Sequence, residues 1–124
     1  LGFETARDLL RSPLVGQFWE NHVLLEMLKH WSGLGRRPRV WFWRTRSGEE
    51  VDLVIEQSGR VMAIECKSSE KPGSKDIKSL RSFLDRLQGQ ARGVVVCRTP
   101  KTYPLDEGLQ AVPVTDLPKV IDSV

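Results

Sequence analysis

Apolar residues recur along this chain with two different periods, and the change of period separates helices from strands. Residues 14–31, LVGQFWENHVLLEMLKHW, have apolar side chains at helical spacing, which predicts one long helix. Gly33, Gly35 and Pro38 follow this segment and predict its end. Two apolar stripes run along the segment, so we expect a helix that is buried on most of its sides. The stripes consist of Phe18, Leu25 and Leu28, and of Leu24, Met27 and Trp31.

Three short apolar segments come next and predict an antiparallel meander. Residues 39–46 are rich in aromatic side chains, residues 50–56 alternate with a period of two, and residues 60–67 begin as a buried strand. Ser-Gly pairs at 47–48 and 58–59 separate the three segments and predict tight turns.

The second half of the chain alternates between helix and strand. Residues 76–88 present one apolar helical face, and residues 93–98 form the continuous apolar run of a strand covered on both sides. A helix that connects strands 60–67 and 93–98 predicts that these strands are parallel. A last strand at 109–114 and a terminal helix at 115–121 follow. The predicted class is α/β: a mixed sheet, built from a three-strand meander and a parallel fourth strand, flanked by helices.

Composition places the chain among ordinary globular domains. Its 124 residues suit one domain, with 40% apolar and 28% charged residues. No segment has the apolar length of a membrane span, so we expect no membrane partner. Because the chain begins at Leu1 rather than Met, we expect a fragment of a longer protein, with a lead-in segment at 1–13 and a single domain at 14–124. Cys66 and Cys97 lie in strand-like runs, which predicts buried reduced thiols and a cytoplasmic location.

The basic residues are unevenly distributed. A net charge of +3 and a pI of about 9.1 are compatible with nucleic-acid binding but do not require it. Trp41, Phe42 and Trp43 stand among arginines, which fits either a stacking surface for nucleic acid or a packed strand with a solvated basic end. The basic clusters are Arg36, Arg37, Arg39, Arg44 and Arg46, and then Lys71, Lys75, Lys78 and Arg81.

The stretch AIECKSS at 63–69 contains the strongest chemical signal. Glu65 and Lys67 are two residues apart on a strand, so their side chains share one face. A two-residue turn at 58–59 would place Asp52 directly opposite Glu65. Two adjacent carboxylates repel each other, and folding alone gives no reason to pair them. A divalent cation does, because Mg²⁺ binds one or two carboxylates and keeps several waters.

Two plainer interpretations compete with a metal site. The face could be a solvated outer surface, or Lys67 could form an ion pair with Asp52 without any metal. The first is weakened because Val54, Val61 and Ala63 would share the face, which indicates that it is covered. On the other side of Asp52, a two-residue turn at 47–48 would place Trp43, and a three-residue turn would place Arg44.

These residues resemble a known motif. Asp52, twelve intervening residues and Glu65-Cys66-Lys67 are similar to the core of the PD-(D/E)XK nuclease superfamily, which has a restriction-endonuclease-like fold. The residue before Asp52 is Val51 rather than Pro, a departure from the motif. Three blocks, GQFWENHVLLEML, FWRTRSGEEVDLVIE and MAIECKSS, more narrowly resemble the uncharacterised domain that follows AAA-type ATPase modules in archaeal and bacterial proteins. This resemblance covers about residues 14–98.

The resemblance implies a metal-dependent nuclease that hydrolyses DNA phosphodiesters as an endonuclease or exonuclease. Asp52, Glu65 and the backbone carbonyl of Cys66 would bind Mg²⁺ or Mn²⁺. Lys67 would orient the attacking water or stabilise developing negative charge. The first helix would add a carboxylate from Glu20, with Glu26 as the alternative. The expected nucleic-acid contacts are Arg36, Arg37, Arg39, Arg44, Lys71 and Lys75.

The resemblance also implies an ATPase module in the same protein. The main alternative function is therefore a non-catalytic module that binds DNA or a partner and regulates this ATPase. An oligomerisation domain is a third option, which would leave the paired carboxylates unexplained.

Overall fold

Six strands form one mixed sheet in the computed structural model, which describes residues 13–122. The strands are β1 (Arg39–Arg44), β2 (Glu50–Gln57), β3 (Arg60–Cys66), β4 (Ala91–Val96), β5 (Tyr103–Asp106) and β6 (Leu109–Val112). The helices are α1 (Val15–Gly33), α2 (Ser74–Arg86) and α3 (Leu117–Asp122), with a 3-10 turn at Val114–Asp116 before α3. Of the lead-in predicted at 1–13, all but Pro13 lies outside the described residues.

The strand order β1-β2-β3-β4-β6-β5 confirms the predicted mixed sheet. The strands β1, β2 and β3 form an antiparallel meander, and β4 is parallel to β3, as the crossover through α2 predicts. Strand β6 is parallel to β4. Strand β5 was not predicted, and its Pro104 argues against a strand. Proline is tolerated here because β5 is an edge strand.

Buried side chains form two layers, one on each face of the sheet. The layer under α1 and α3 includes Met27, Leu53, Ile64 and Val96, and we call it the α1 side. The layer under α2 includes Val51, Val54, Ala63, Leu80 and Val95, and we call it the α2 side. The strands β3 and β4 are therefore covered on both faces, which explains their continuous apolar runs.

Helix α1 is less buried than its sequence predicts. Only Val23, Met27 and Trp31 are buried, whereas Leu25 and Leu28 are 55% and 47% exposed. The prediction of a helix buried on most sides is wrong, because α1 covers one face of the sheet and none of the described residues covers its outer side. Trp19 fixes α1 to the sheet by donating from its indole nitrogen to the backbone oxygen of Val96 at 3.0 Å.

Two further predictions concern the thiols and the membrane. Cys66 and Cys97 are both free, with Cys97 buried and Cys66 half-buried. Within residues 13–122, the structure contains no helix with the length and apolar character needed to cross a bilayer.

Candidate active site

The β2–β3 hairpin has the predicted register. Gln57 pairs with Arg60 and Leu53 pairs with Ile64, so the next step along the hairpin brings Asp52 beside Glu65. Asp52 Oδ2 also accepts a hydrogen bond from the backbone N–H of Cys66 at 2.8 Å. This bond ties the end of β2 to the end of β3 and fixes the carboxylate of Asp52 in place.

A β-bulge in β2 lies at Asp52. Trp41 pairs with Val54 but Trp43 pairs with Val51, so two residues of β2, Asp52 and Leu53, lie opposite one residue of β1. As a result Val51 and Val54, three residues apart, both pack on the α2 side. Bulges of this kind bend a strand and redirect a side chain, and they are frequent beside active sites.

Because of the bulge, both predictions of the β1 residue opposite Asp52 are wrong. Trp43 lies opposite Val51 and Arg44 lies opposite Glu50, so neither is opposite Asp52. The loop between β1 and β2 consists of residues 45–49. It is closed by the N–H of Thr45, which donates to the oxygen of Glu49 at 2.9 Å.

The two carboxyl groups of the motif are in direct contact. Burial and a side-chain hydrogen bond with Asp52 raise the pKa of Glu65 to about 10. The negative charges of Asp52, Asp76 and Glu50 act in the same direction. At neutral pH Glu65 is therefore protonated and donates its proton to Asp52. The proton removes the repulsion between the two carboxyl groups, as a bound cation would also do.

Glu20, rather than Glu26, is the glutamate of α1 that faces this site. Burial and the charges of Asp52 and Glu50 raise the pKa of Glu20. Glu26 points elsewhere and forms an exposed ion pair with Lys29 at 3.3 Å. Where the sequence left two candidates, the tertiary structure brings only Glu20 to Asp52.

The thiol of Cys66 lies among the three carboxyl groups. Burial raises its pKa well above the ordinary value, and Asp52, Glu20 and Glu65 each raise it further. The thiol is therefore protonated and unreactive at neutral pH. Cys66 packs on the α1 side, so in the described structure its side chain fills space next to the site.

The donor set fits a magnesium ion with few protein ligands. Among residues 13–122, no group of three or more His, Cys, Asp or Glu side chains is placed to hold a metal ion. Asp52, Glu65 and a backbone carbonyl supply oxygen donors only, and Mg²⁺ commonly binds through one or two carboxylates and several waters. The charge of Asp52 acts on Glu20 and contributes to its raised pKa.

Lys67 lies just beyond the end of β3. Its side chain is exposed, and its backbone N–H donates to the oxygen of Val96 at 2.9 Å. None of the ion pairs found within residues 13–122 includes Lys67. A Lys67–Asp52 ion pair, the alternative without a metal, is therefore not formed.

The predicted nucleic-acid contacts fall into separate regions of the surface. Arg36, Arg37 and Arg39 line a cleft of about 500 Å³ together with Gln57, at the far end of β2 from Asp52. Gln57 lies five residue steps along the strand from Asp52, a distance of about 17 Å. Arg44 is nearer and pairs with Glu50 at 2.9 Å. Lys71 and Lys75 are exposed in and after the loop that follows β3.

Sequence reasoning missed two acidic residues that act on the site. Glu50 and Asp76 both raise the pKa of Glu65, from the start of β2 and from the first turn of α2. Asp76 has a second role, because its carboxylate accepts the N–H of Gly73 at 2.8 Å at the start of the helix. The capping pattern could have located Asp76, but no sequence signal placed it beside β3.

A family model described as "Domain of unknown function (DUF4143)" matches residues 15–117. The chain is a DUF4143 domain. Two mycobacterial proteins, "Uncharacterized protein Rv2008c" from Mycobacterium tuberculosis and "Uncharacterized protein Mb2031c" from Mycobacterium bovis, are each 34% identical to it over 113 residues. The match covers 91% of this chain and 24% of each relative, so the chain spans about a quarter of their length.

A solved structure shows the same fold. "Crystal structure of protein VC1899 from Vibrio cholerae" aligns with 98% of the DUF4143 domain and 35% of the VC1899 chain. The TM-score is 0.58 and the sequence identity is 18%. At this identity, the likeness supports the mixed α/β fold and nothing about chemistry.

Proposed function

We propose that this DUF4143 domain is a metal-dependent nuclease of the PD-(D/E)XK type that hydrolyses DNA phosphodiesters. In this proposal it has a restriction-endonuclease-like core and works in the cytoplasm beside an AAA-type ATPase module of the same protein. The observation that supports it best is the contact between Asp52 and Glu65. A buried carboxyl group in contact with a second one lowers the stability of the folded state. A ligand that binds both groups would explain why the chain places them together.

The chain's own residues have distinct roles in this proposal. Asp52, fixed by the N–H of Cys66, and Glu65 would hold the ion with the backbone carbonyl of Cys66. Glu65 would bind the ion as a carboxylate, after releasing its proton to water. A bound Mg²⁺ supplies Lewis-acid polarisation of the phosphate and a more acidic water. Exposed Lys67, at the end of β3, would approach a phosphate oxygen and stabilise its negative charge.

Thermal unfolding with and without Mn²⁺ tests the metal site. A ligand that binds only the folded state at about a hundred times its Kd adds about 2.7 kcal/mol, so Mn²⁺ should raise Tm. Asp52→Asn should lose most of this increase, because it removes one of two charged ligands. Glu26→Gln is the matched control, since Glu26 pairs only with Lys29 on the surface, and it should respond like the wild type. Equal responses from Asp52→Asn and the wild type would exclude this site.

Cleavage assays test the chemistry separately. The wild type should cut duplex, single-stranded or branched DNA in Mg²⁺ or Mn²⁺, and a chelator should stop the reaction. Lys67→Ala should abolish cutting but keep most of the DNA affinity, because it removes one cation among many. Replacing Arg36, Arg37 and Arg39 together should instead weaken binding and reduce its salt dependence.

A non-catalytic module is the second candidate function. It is favoured by the lack of a third converging ligand among residues 13–122 and by the exposed leucines of α1. Such a module would bind DNA or a partner and regulate the ATPase. DNA binding without cleavage of any substrate, unchanged by Lys67→Ala, would establish this function instead.

A further inference from the structure

The exposed aromatic residues of β1 lie on opposite faces of the strand. Phe42 is 69% exposed and Trp41 is 39% exposed. Trp43 is packed against Phe83 in an edge-to-face contact, with ring centroids 5.1 Å apart. Because side chains alternate along a strand, Trp41 and Trp43 share the α2 side while Phe42 shares the α1 side with Val40. The aromatic run therefore leaves one largely free ring, Phe42, beside helix α1.

Phe42 and Val40, two residues apart on the α1 face of β1, each line a separate cleft. At one end, Phe42 lines a cleft of about 240 Å³ with Glu20, Arg44 and Asp52, next to the paired carboxylates. At the other end, a second cleft of about 530 Å³ contains Val40 and two arginines. The second cleft is lined by Leu28, Trp31, Ser32, Gly35, Arg36, Arg37, Pro38 and Val40.

The second cleft offers unused hydrogen-bond donors and positive charge. Trp31 has a buried indole N–H that finds no partner among the described residues. Arg37 takes part in none of the ion pairs within residues 13–122, and Arg36 forms only a long, exposed contact of 3.8 Å with Asp122. Exposed pairs of this kind contribute little, so Arg36 can exchange Asp122 for a phosphate at small cost.

We infer that the groove between α1 and β1 binds a single nucleic-acid strand and leads it to the carboxylate pair. Arg36 and Arg37 hold the phosphates at one end, and Phe42 stacks on an unpaired base. At the other end Arg44, whose exposed pair with Glu50 at 2.9 Å can be exchanged in the same way as that of Arg36, holds a phosphate beside Asp52. This inference rests on the proposed function and adds its substrate class, a single-stranded end or segment. Unpaired bases are required because the bases of a duplex are stacked on each other and cannot cover Phe42.

Charge favours this occupant over a protein strand. Edge strand β1 has unpaired backbone groups, which could also pair with the edge of a second copy. At the Asp52 end of the groove, Arg44 lies with the carboxyl groups of Glu20, Glu50 and Asp52. However, Arg36 and Arg37 make the other end of the groove positive, and a second copy would bring the same arginines against them. A polyanion with flat apolar bases complements both this positive end and the exposed aromatic ring.

Fluorescence anisotropy with a labelled oligothymidylate tests the groove without relying on catalysis. An oligomer of about twelve nucleotides lies within the usual site sizes of single-strand modules. The titration is done in EDTA, which prevents hydrolysis. Phe42→Ala should weaken binding by about 5- to 100-fold, the effect of losing one stacked base. Trp41→Ala is the matched control on the opposite face of the same strand and should leave the affinity unchanged.

Three additional measurements sharpen the result. Phe42→Trp should bind as the wild type does, because it supplies another aromatic ring. Urea unfolding should show that Phe42→Ala remains folded. Arg37→Ala should reduce the slope of log affinity against log salt by about 0.7, the contribution of one phosphate contact on a single strand. A blunt duplex of the same length should compete weakly.

The possible outcomes separate this inference from the proposed function. Binding with the expected pattern, but no hydrolysis in Mn²⁺, supports the groove and rejects the nuclease. Duplex cleavage that is unaffected by Phe42→Ala supports the nuclease and rejects the groove. Two other results also overturn the inference. One is an equal loss of affinity in Phe42→Ala and Trp41→Ala. The other is a protein that binds no oligonucleotide but forms a dimer, which Phe42→Ala dissociates.

Discussion

Replacing Glu65 with glutamine should make the metal-free domain less sensitive to pH. The pKa of Glu65 is about 10 in the folded state, against an ordinary value of 4.5. Between these values the folded state binds one proton that the unfolded chain does not. Stability is then fully present below about pH 4.5 and falls as the pH rises towards 10, because protons favour the folded state. Glu65→Gln keeps a donor for Asp52 but has no proton to lose.

The size of this effect follows from linkage. One proton difference changes the free energy of unfolding by about 1.4 kcal/mol per pH unit. Between about pH 6 and pH 8, the contribution of Glu65 should therefore fall by up to about 2.7 kcal/mol. This is a large share of the stability of a small domain. The difference between wild type and Glu65→Gln isolates this contribution, because all other titrating groups are common to both proteins.

Urea unfolding followed by tryptophan fluorescence measures the effect. The chain has four tryptophans, and Trp19 and Trp31 report on the contact of α1 with the sheet. Unfolding curves at several pH values in EDTA give the free energy of unfolding of each protein. Glu26→Gln serves as the control for the loss of a carboxylate and should follow the wild type.

Two results would refute this reasoning. Parallel pH curves for wild type and Glu65→Gln would mean that Glu65 is ionised and that its contact with Asp52 is not formed. A metal-induced stabilisation that does not grow with pH would mean that the ion does not displace the Glu65 proton. The expected result is the opposite, with Mg²⁺ stabilising the wild type more at higher pH and Glu65→Gln responding weakly at every pH.

Further predictions concern two glycines and the hydrogen bond of Trp19. Gly93→Ala should destabilise the domain by about 1–3 kcal/mol, because an added Cβ would lie 2.5 Å from a buried methyl of Leu109. Gly16→Ala, which meets nothing within 4 Å in helix α1, should be neutral or stabilising in the same urea titration. Trp19→Phe removes the hydrogen bond to Val96 and should lower the free energy of unfolding by about 0.5–1.5 kcal/mol, with no change for Trp41→Phe.

The sequence by itself determined the order of most elements and the register of the central hairpin. The Ser58-Gly59 turn fixes which residues of β2 and β3 face each other, since Ser58 and Gly59 both adopt positive φ. Pairing then follows by counting, and it brings Asp52 beside Glu65. The crossover from β3 through α2 to β4 was also predictable, because right-handed parallel connections leave few alternatives.

Tertiary structure alone decided several features of the site. The bulge at Asp52 depends on how β1 fits against β2, and no local signal specifies it. The choice of Glu20 over Glu26 depends on which side of α1 meets the sheet, and both apolar stripes of the helix were plausible contacts. The exposed leucines follow from the same choice, since a helix can pack only one side on a single sheet.

The raised pKa of Glu65 is the clearest example of a property that depends on tertiary structure. The sequence shows Glu50 on a strand and Asp76 on a helix, with nothing to bring them to the Asp52–Glu65 pair. Folding places them near one another, and the pKa of Glu65 rises through burial and the sum of their fields. Local pattern specifies secondary structure and hairpin register because these depend on neighbours in sequence. A shifted pKa depends on long-range packing, which only the folded chain supplies.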